Sequence, residues 1–153
     1  LRIGSGLGKT VLKGVLFSDH TSFFDPMFSV RAPFGIGIGP IFMSLGFESS
    51  KYSFEASTDT LANYFGSSAG PTLFFDLSKV IKIGGDKLGK YFMLGSANYD
   101  HGSGFVTGYD LNLFIGSLPV SFSVSSRANI LSLQNGGTTY WVSAYAGMAI
   151  DIR

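Results

Sequence analysis

Two short clusters carry the residue types of hydrolytic chemistry. One is Ser18-Asp19-His20-Thr21-Ser22 and the other is Tyr99-Asp100-His101-Gly102-Ser103; together they hold both histidines of the chain. In each, an Asp precedes the His and a hydroxyl stands within two residues. A histidine base beside a hydroxyl nucleophile is the minimum for acyl transfer. His20 or His101 would then be the base, and Ser22 or Ser103 the nucleophile. Two imidazoles and two carboxylates are also a ligand set for a metal ion. A plainer reading outweighs both, because Asp, Gly and Ser are the residues that build polar turns. No catalytic residue, metal or cofactor is therefore assigned. His20, His101 and Ser103 remain the candidates to locate in the fold.

Gly4-Ser5-Gly6-Leu7-Gly8-Lys9-Thr10 has the look of a phosphate loop but not its spacing. A phosphate loop needs four residues between the first Gly and Gly-Lys-Thr, and Gly4 leaves three. It also needs an upstream strand, for which residues 1–3 are too few. Nucleotide binding is excluded, and the segment reads as a flexible N-terminal stretch. The carboxylates show no acid–base pairing. Glu48 and Glu55 flank an expected hairpin, where Glu55 would pair with Lys51 or Arg31. Asp110 and Asn112 fall on the small polar side of an alternating strand. If that side is enclosed, Asp110 needs a cation, since a buried unpaired carboxylate is too costly. Arg127 is the expected partner, which makes Asp110, Asn112 and Arg127 the candidate interior polar residues.

The elements that would position these residues are strands. From Pro119 onward, Val120, Phe122 and Val124 alternate with Ser121, Ser123 and Ser125. After Asn135-Gly136-Gly137 the apolar positions are Tyr140, Val142, Ala144, Ala146, Met148, Ile150 and Ile152. A period of two sends successive side chains to opposite faces of a strand. A soluble sheet shows water Lys, Glu, Thr and Arg; here the second side is Ser, Gly and a few aromatics. Such a strand fits a greasy side on lipid and a small polar side lining a tight interior.

Alternation predicts further strands over Phe34–Phe47, Lys51–Ser57, Thr72–Ile83, Lys90–Tyr99 and Phe105–Ile115. Glu48-Ser49-Ser50 and Gly84-Gly85-Asp86-Lys87 are the expected turns, and Ser57–Gly70 an expected loop. Met27–Ala32 fits an eighth strand. Lys9–Phe17 fits a strand or a short amphipathic helix. The alternate glycines Gly35, Gly37 and Gly39 bare one side of a strand, which Phe114, Tyr145 or Trp141 would fill. Tyr52, Tyr91, Tyr99, Tyr109, Tyr140 and Trp141 lie near strand ends, the place of an interfacial aromatic girdle. Lys51 and Asp151 are further candidates for pairing inside.

The composition agrees with a shielded exterior. Charged residues are 14% of 153 residues, against about 25% in an ordinary soluble domain. Hydrophobic residues reach 45%, with 15 Phe, and mean hydropathy is +0.29. Net charge is +1 without a Lys/Arg cluster, so the footprint of nucleic-acid binding is missing. Cysteine is absent, which removes disulfides and thiolate chemistry. No apolar run reaches the ~20 residues of a membrane helix, but several reach the ~9–11 of a membrane strand. With no charged n-region and no clear apolar h-region after Leu1, the chain reads as a mature or trimmed product.

Over Phe34–Ile152 the alternation and the size resemble the small bacterial outer-membrane β-barrels. The end, Ile152-Arg153, departs from the aromatic finish common in that class. The expected fold is an all-β, antiparallel up-and-down barrel of about eight strands in one domain, 1–153. Residues 1–33 form either a first strand or an N-terminal extension, helix or plug. The expected function is a structural or accessory anchor in the cell outer membrane, non-enzymatic and with a filled lumen. Its partners would be membrane lipid and a further protein or a second copy. Two alternatives stand beside it: an extracellular all-β subunit that self-assembles into a filament or surface layer, and a barrel-based lipid-modifying hydrolase.

Overall fold

The computed structural model describes the backbone of residues 1–13, 17–20, 24–56, 64–99, 102–134 and 136–152, and their side chains except at 13, 17–20, 53–56 and 64–68. Nine strands follow one another: β1 (Arg2–Lys13), β2 (Phe17–His20), β3 (Asp25–Ile38), β4 (Ile41–Ala56), β5 (Tyr64–Asp76), β6 (Leu88–Tyr99), β7 (Gly102–Phe114), β8 (Val120–Leu133) and β9 (Thr138–Asp151). All pairings are antiparallel, in the order β4-β3-β1-β9-β8-β7-β6-β5. Pairing of β5 with β4 closes these eight strands into a ring, and β2 attaches beside the upper end of β4. The fold is thus all-β and up-and-down. The lower end carries Arg2 and Asp151, and the upper end carries the β6–β7 and β8–β9 connections.

The register sets the shape of the ring. Partner by partner, Arg2 leads through Arg31, Gly46, Thr72, Gly95, Val106, Asn129 and Trp141 back to Lys13. The return lies eleven residues above the start, ten once the bulge residue Val11 is set aside. With a rise of ~3.3 Å per residue and strands ~4.8 Å apart, a stagger of ten over eight strands tilts them by about 40°. So narrow a ring has room inside only for side chains.

On β7, β8 and β9 hydrophobic side chains alternate outward with buried ones. On β8, Phe122 and Val124 are more than half exposed, while Ser121, Ser125 and Arg127 on either side of them are buried. On β9, Tyr140, Met148 and Ile150 face out, and Thr139, Trp141, Ser143, Tyr145 and Ala149 face in. On β7, Phe105, Tyr109, Leu111 and Leu113 face out against Val106, Asp110 and Asn112 within.

Several expectations are corrected. Phe34–Phe47 is not one strand: Gly39, at φ +58, and Pro40 reverse the chain, and Ile38 pairs with Ile41. The Gly35–Gly39 run sits in that hairpin, beyond the ring. A Cβ at Gly37 or Gly39 would meet nothing within 4 Å, and the ring nearest Gly35 is that of Phe42, so the expected Phe114, Tyr145 or Trp141 does not fill that side. Glu48-Ser49-Ser50 is mid-strand in β4, so Glu48 and Glu55 do not flank a hairpin. Glu55's side chain lies outside the described residues. Strand β5 stops at Asp76, whose carboxylate accepts a bond from Ser78 N at 2.8 Å and starts the turn. That turn folds back on β6, where Leu77 N reaches Lys90 O at 2.8 Å and Lys90 N reaches Ser78 Oγ at 2.9 Å. Part of the expected loop 57–70 is strand from Tyr64 onward. Residues 2–13 are the strand β1, neither helix nor plug nor flexible stretch. Its pairing with β3 and β9 supplies the hydrogen bonds a free segment would lack.

Candidate functional site

The chemistry-bearing side chains converge inside the ring, because only inward positions hide a charge from the apolar exterior. Asp110, Asn112 and Arg127 are all buried there, on the adjacent strands β7 and β8. Arg127 is 1% exposed. Its Nε donates to Glu48 Oε1 at 2.5 Å and its Nη2 to Glu48 Oε2 at 2.7 Å. The same Nη2 lies 2.7 Å from Asp110 Oδ1. Nη1 donates to the carbonyls of Ser126 at 2.9 Å and Tyr109 at 3.2 Å. A guanidinium is a fork of five donors, and this one engages two carboxylates and two carbonyls.

Glu48 is on β4 and Arg127 on β8, four strands apart whichever way the ring is counted. Arg31 on β3 reaches Asp110 on β7, also four strands apart, with Nη2 at 3.3 Å from Oδ2. Two ion pairs therefore cross the diameter of the lumen. The Arg31 guanidinium also lies between two rings, its Cζ 4.0 Å from the centroid of Phe74 and 4.2 Å from that of Tyr91. Below it, Arg2 Nη1 donates to Asp151 Oδ2 at 2.6 Å and Nη2 to Ser121 Oγ at 2.7 Å. Asn112 lies two residues below Asp110, opposite Gly89 and Ser123.

Above the charges the lumen is aromatic. The rings of Tyr52, Tyr99 and Trp141 pack with centroids 5.0, 5.6 and 6.1 Å apart, over Met93, Val106 and Leu131. Tyr99 OH donates to Asn129 Oδ1 at 3.1 Å. Tyr52, Tyr91, Tyr99 and Trp141 thus point inward and do not form a girdle; only Tyr109 and Tyr140 of the expected set face out. The reason is parity: each shares its side of the strand with Glu48, Gly95, Ala97 or Ser143. Glycine makes room for this filling. A Cβ at Gly46 would stand 2.6 Å from the Phe74 ring, and one at Gly8 would collide with Tyr145.

The hydrolytic candidates do not join this site. The backbone of His20 lies in β2 beside Phe54 of β4, and its side chain is outside the described residues. His101 is likewise outside them. Ser103 is exposed on the outer side of β7, between Asn98 and Ser132, with its hydroxyl turned from the lumen. Among the described residues, no group of three His, Asp or Glu could hold a metal. Lys51, expected inside, is exposed on the outside, since odd positions of β4 face out. Asp151 lies at the lower mouth of the ring, partly exposed, and pairs with Arg2.

Sequence reasoning missed Glu48, Arg31 and Arg2 as interior charges. Parity would have found Glu48, which shares a side with Ser44 and Gly46. No family model matches this chain, and no curated protein matches it.

Proposed function

We propose that this protein is an integral β-barrel of the cell outer membrane, a structural or accessory anchor with a filled lumen and no catalytic role. The observation that carries the reading is its polarity. Among the described residues, 28 large hydrophobic side chains are exposed, against eleven hydrophobic ones in the core. Water-soluble monomers seldom expose contiguous apolar patches beyond a few hundred Å². Here the exposed set runs round the ring, on β3, β4, β6, β7, β8 and β9. Charges follow the opposite rule. Arg2, Asp25, Arg31, Glu48, Asp110 and Arg127 are buried, while Lys9 and Lys51 are the exposed strand charges of the described set. Hydrocarbon tolerates that arrangement; water does not reward it.

Closure also favours lipid over polymer. The eight ring strands are paired on both sides, which leaves them no continuous edge for strand addition. No helix of the described residues is long and apolar enough to cross a membrane, so crossing would fall to strands. Tilted strands of 12 to 16 residues exceed the ~9–11 that a bilayer requires.

The test is extraction and gel mobility. The membrane reading expects the folded protein to stay with membranes in buffer, dissolve in detergent, and migrate faster unheated than boiled. A monodisperse monomer in plain buffer would overturn it, as would a polymer that pellets without lipid.

A further inference from the structure

We infer that the outer face of β9-β1-β3-β4 seats one anionic phospholipid, with its acyl chain in a groove and its phosphate on Lys51. This rests on the membrane reading and names a lipid partner for it. The groove has a volume of about 610 Å³. Its floor is made by the small outward side chains Ser5, Ala146 and Ser49, and its walls by Leu7 and Phe28. Small outward residues on β9, β1 and β4 lower the surface there, while Leu7 and Phe28 keep full height. The result is a channel wide enough for a hydrocarbon chain, lined almost wholly by apolar groups.

What selects the occupant is the charge at its end. Lys51 lines the groove and is exposed. Met27 pairs with Ser50, and Leu7 with Pro26, so Lys51 stands level with Leu7 two strands away, about 10 Å. Lys9, the other exposed strand cation of the described set, follows Leu7 on the outward row of β1. Both cations lie toward the upper rim, and among the described side chains no acidic one faces outward near them. A groove that takes hydrocarbon and ends at a cation complements a lipid with a negative headgroup. A second apolar groove, between Leu45 and Phe105 on β4–β7, has no charge among its lining residues and gives no such selection.

The experiment uses the full chain in phosphatidylcholine vesicles, with spin-labelled phosphatidylglycerol and phosphatidylcholine as probes. Insertion is scored separately, by the shift in mobility on heating. The expected result is a restricted lipid population that prefers phosphatidylglycerol. Lys51→Gln should reduce the preference about fivefold, the size of one cation's attraction to an anionic surface. Ala146→Phe, which fills the groove and leaves both lysines, should shrink the restricted population while the barrel still inserts. Equal affinity for the two lipids, or a preference unchanged by Lys51→Gln, would overturn the inference and leave the membrane reading intact. Failure to insert would overturn both. If cross-linking instead finds a dimer that Ala146→Phe dissolves, the occupant is a second copy and the inference falls.

Discussion

Arg127 and Glu48 face each other across the full width of the barrel, joined by two hydrogen bonds of 2.5 and 2.7 Å from opposite strands. A pair this buried is asymmetric in its energetics. Burying both charges costs about as much as their attraction returns, but stranding one costs about 3–5 kcal/mol. Glu48→Ala leaves Arg127 with Asp110 still 2.7 Å away, so its loss should sit at the low end of that range. Arg127→Met strands Glu48 and weakens the hold on Asp110, and should sit at the high end. The double variant Glu48→Leu, Arg127→Met should be more stable than Arg127→Met alone. Urea midpoints of the fast-migrating band measure all three. Equal losses for the two single variants would refute the network.

The exterior predicts a depth-dependent response to charge. Leu94 is outward and mid-strand on β6. Leu94→Arg should destabilise the protein in vesicles by about 2–4 kcal/mol, the cost of an arginine near the bilayer middle. Ser103→Arg, outward near the upper end of β7, should cost about 0–1 kcal/mol. Two variants of equal stability would mean that no hydrocarbon band surrounds the ring.

Gly46 predicts a loss that its aromatic neighbour cannot relieve. A Cβ there would meet the Phe74 ring at 2.6 Å and also the carbonyl oxygen of Val30. The ring can move; the backbone oxygen, held in the β3–β4 pairing, cannot. Gly46→Ala should therefore cost about 1–3 kcal/mol, and adding Phe74→Leu should not recover it. Recovery of wild-type stability in that double variant would place the strain in the ring alone.

These relationships differ in how far the sequence discloses them. The alternation on β7, β8 and β9 reads directly, because period two with Ser and Gly between hydrophobes has one geometric meaning. The ion pair of Asp110 with Arg127 is also within reach, since a hairpin brings adjacent strands together. Glu48 with Arg127 is not, being 79 residues apart and joined only once the ring closes and its stagger fixes the opposing levels. Glu48-Ser49-Ser50 reads as a turn because polar runs usually face water, and this one faces a lumen. The tyrosines mislead differently. Position near a strand end says nothing about side, while shared parity with Gly95, Ala97 and Ser143 does.

The Asp-His clusters predict silence. Ser103 points outward, away from the interior charges, so a relay between them would have to cross the barrel wall. Vesicles of phosphatidylcholine should release no fatty acid on incubation with the inserted protein. His20→Ala with His101→Ala should change nothing. Steady release that the double variant abolishes would establish the hydrolase alternative.

The lumen holds two barriers in series, and conductance should reveal both. The upper one is the Tyr52–Tyr99–Trp141 packing; the lower one is the crossed pairs Glu48–Arg127 and Arg31–Asp110. The wild-type barrel in a planar bilayer should be electrically silent. Alanine at Tyr52, Tyr99 and Trp141 together removes the upper barrier only. Ions still meet side chains bridging the diameter below, so that variant should stay near baseline. Adding Glu48→Ala, Arg127→Ala, Arg31→Ala and Asp110→Ala removes both crossed pairs, and discrete openings should then appear. Seven substitutions that large also cost stability, so the unheated gel band must first show that the ring is intact. Openings in the triple variant alone would mean that the charged level is not a barrier, and openings in the wild type would end the description of a filled lumen.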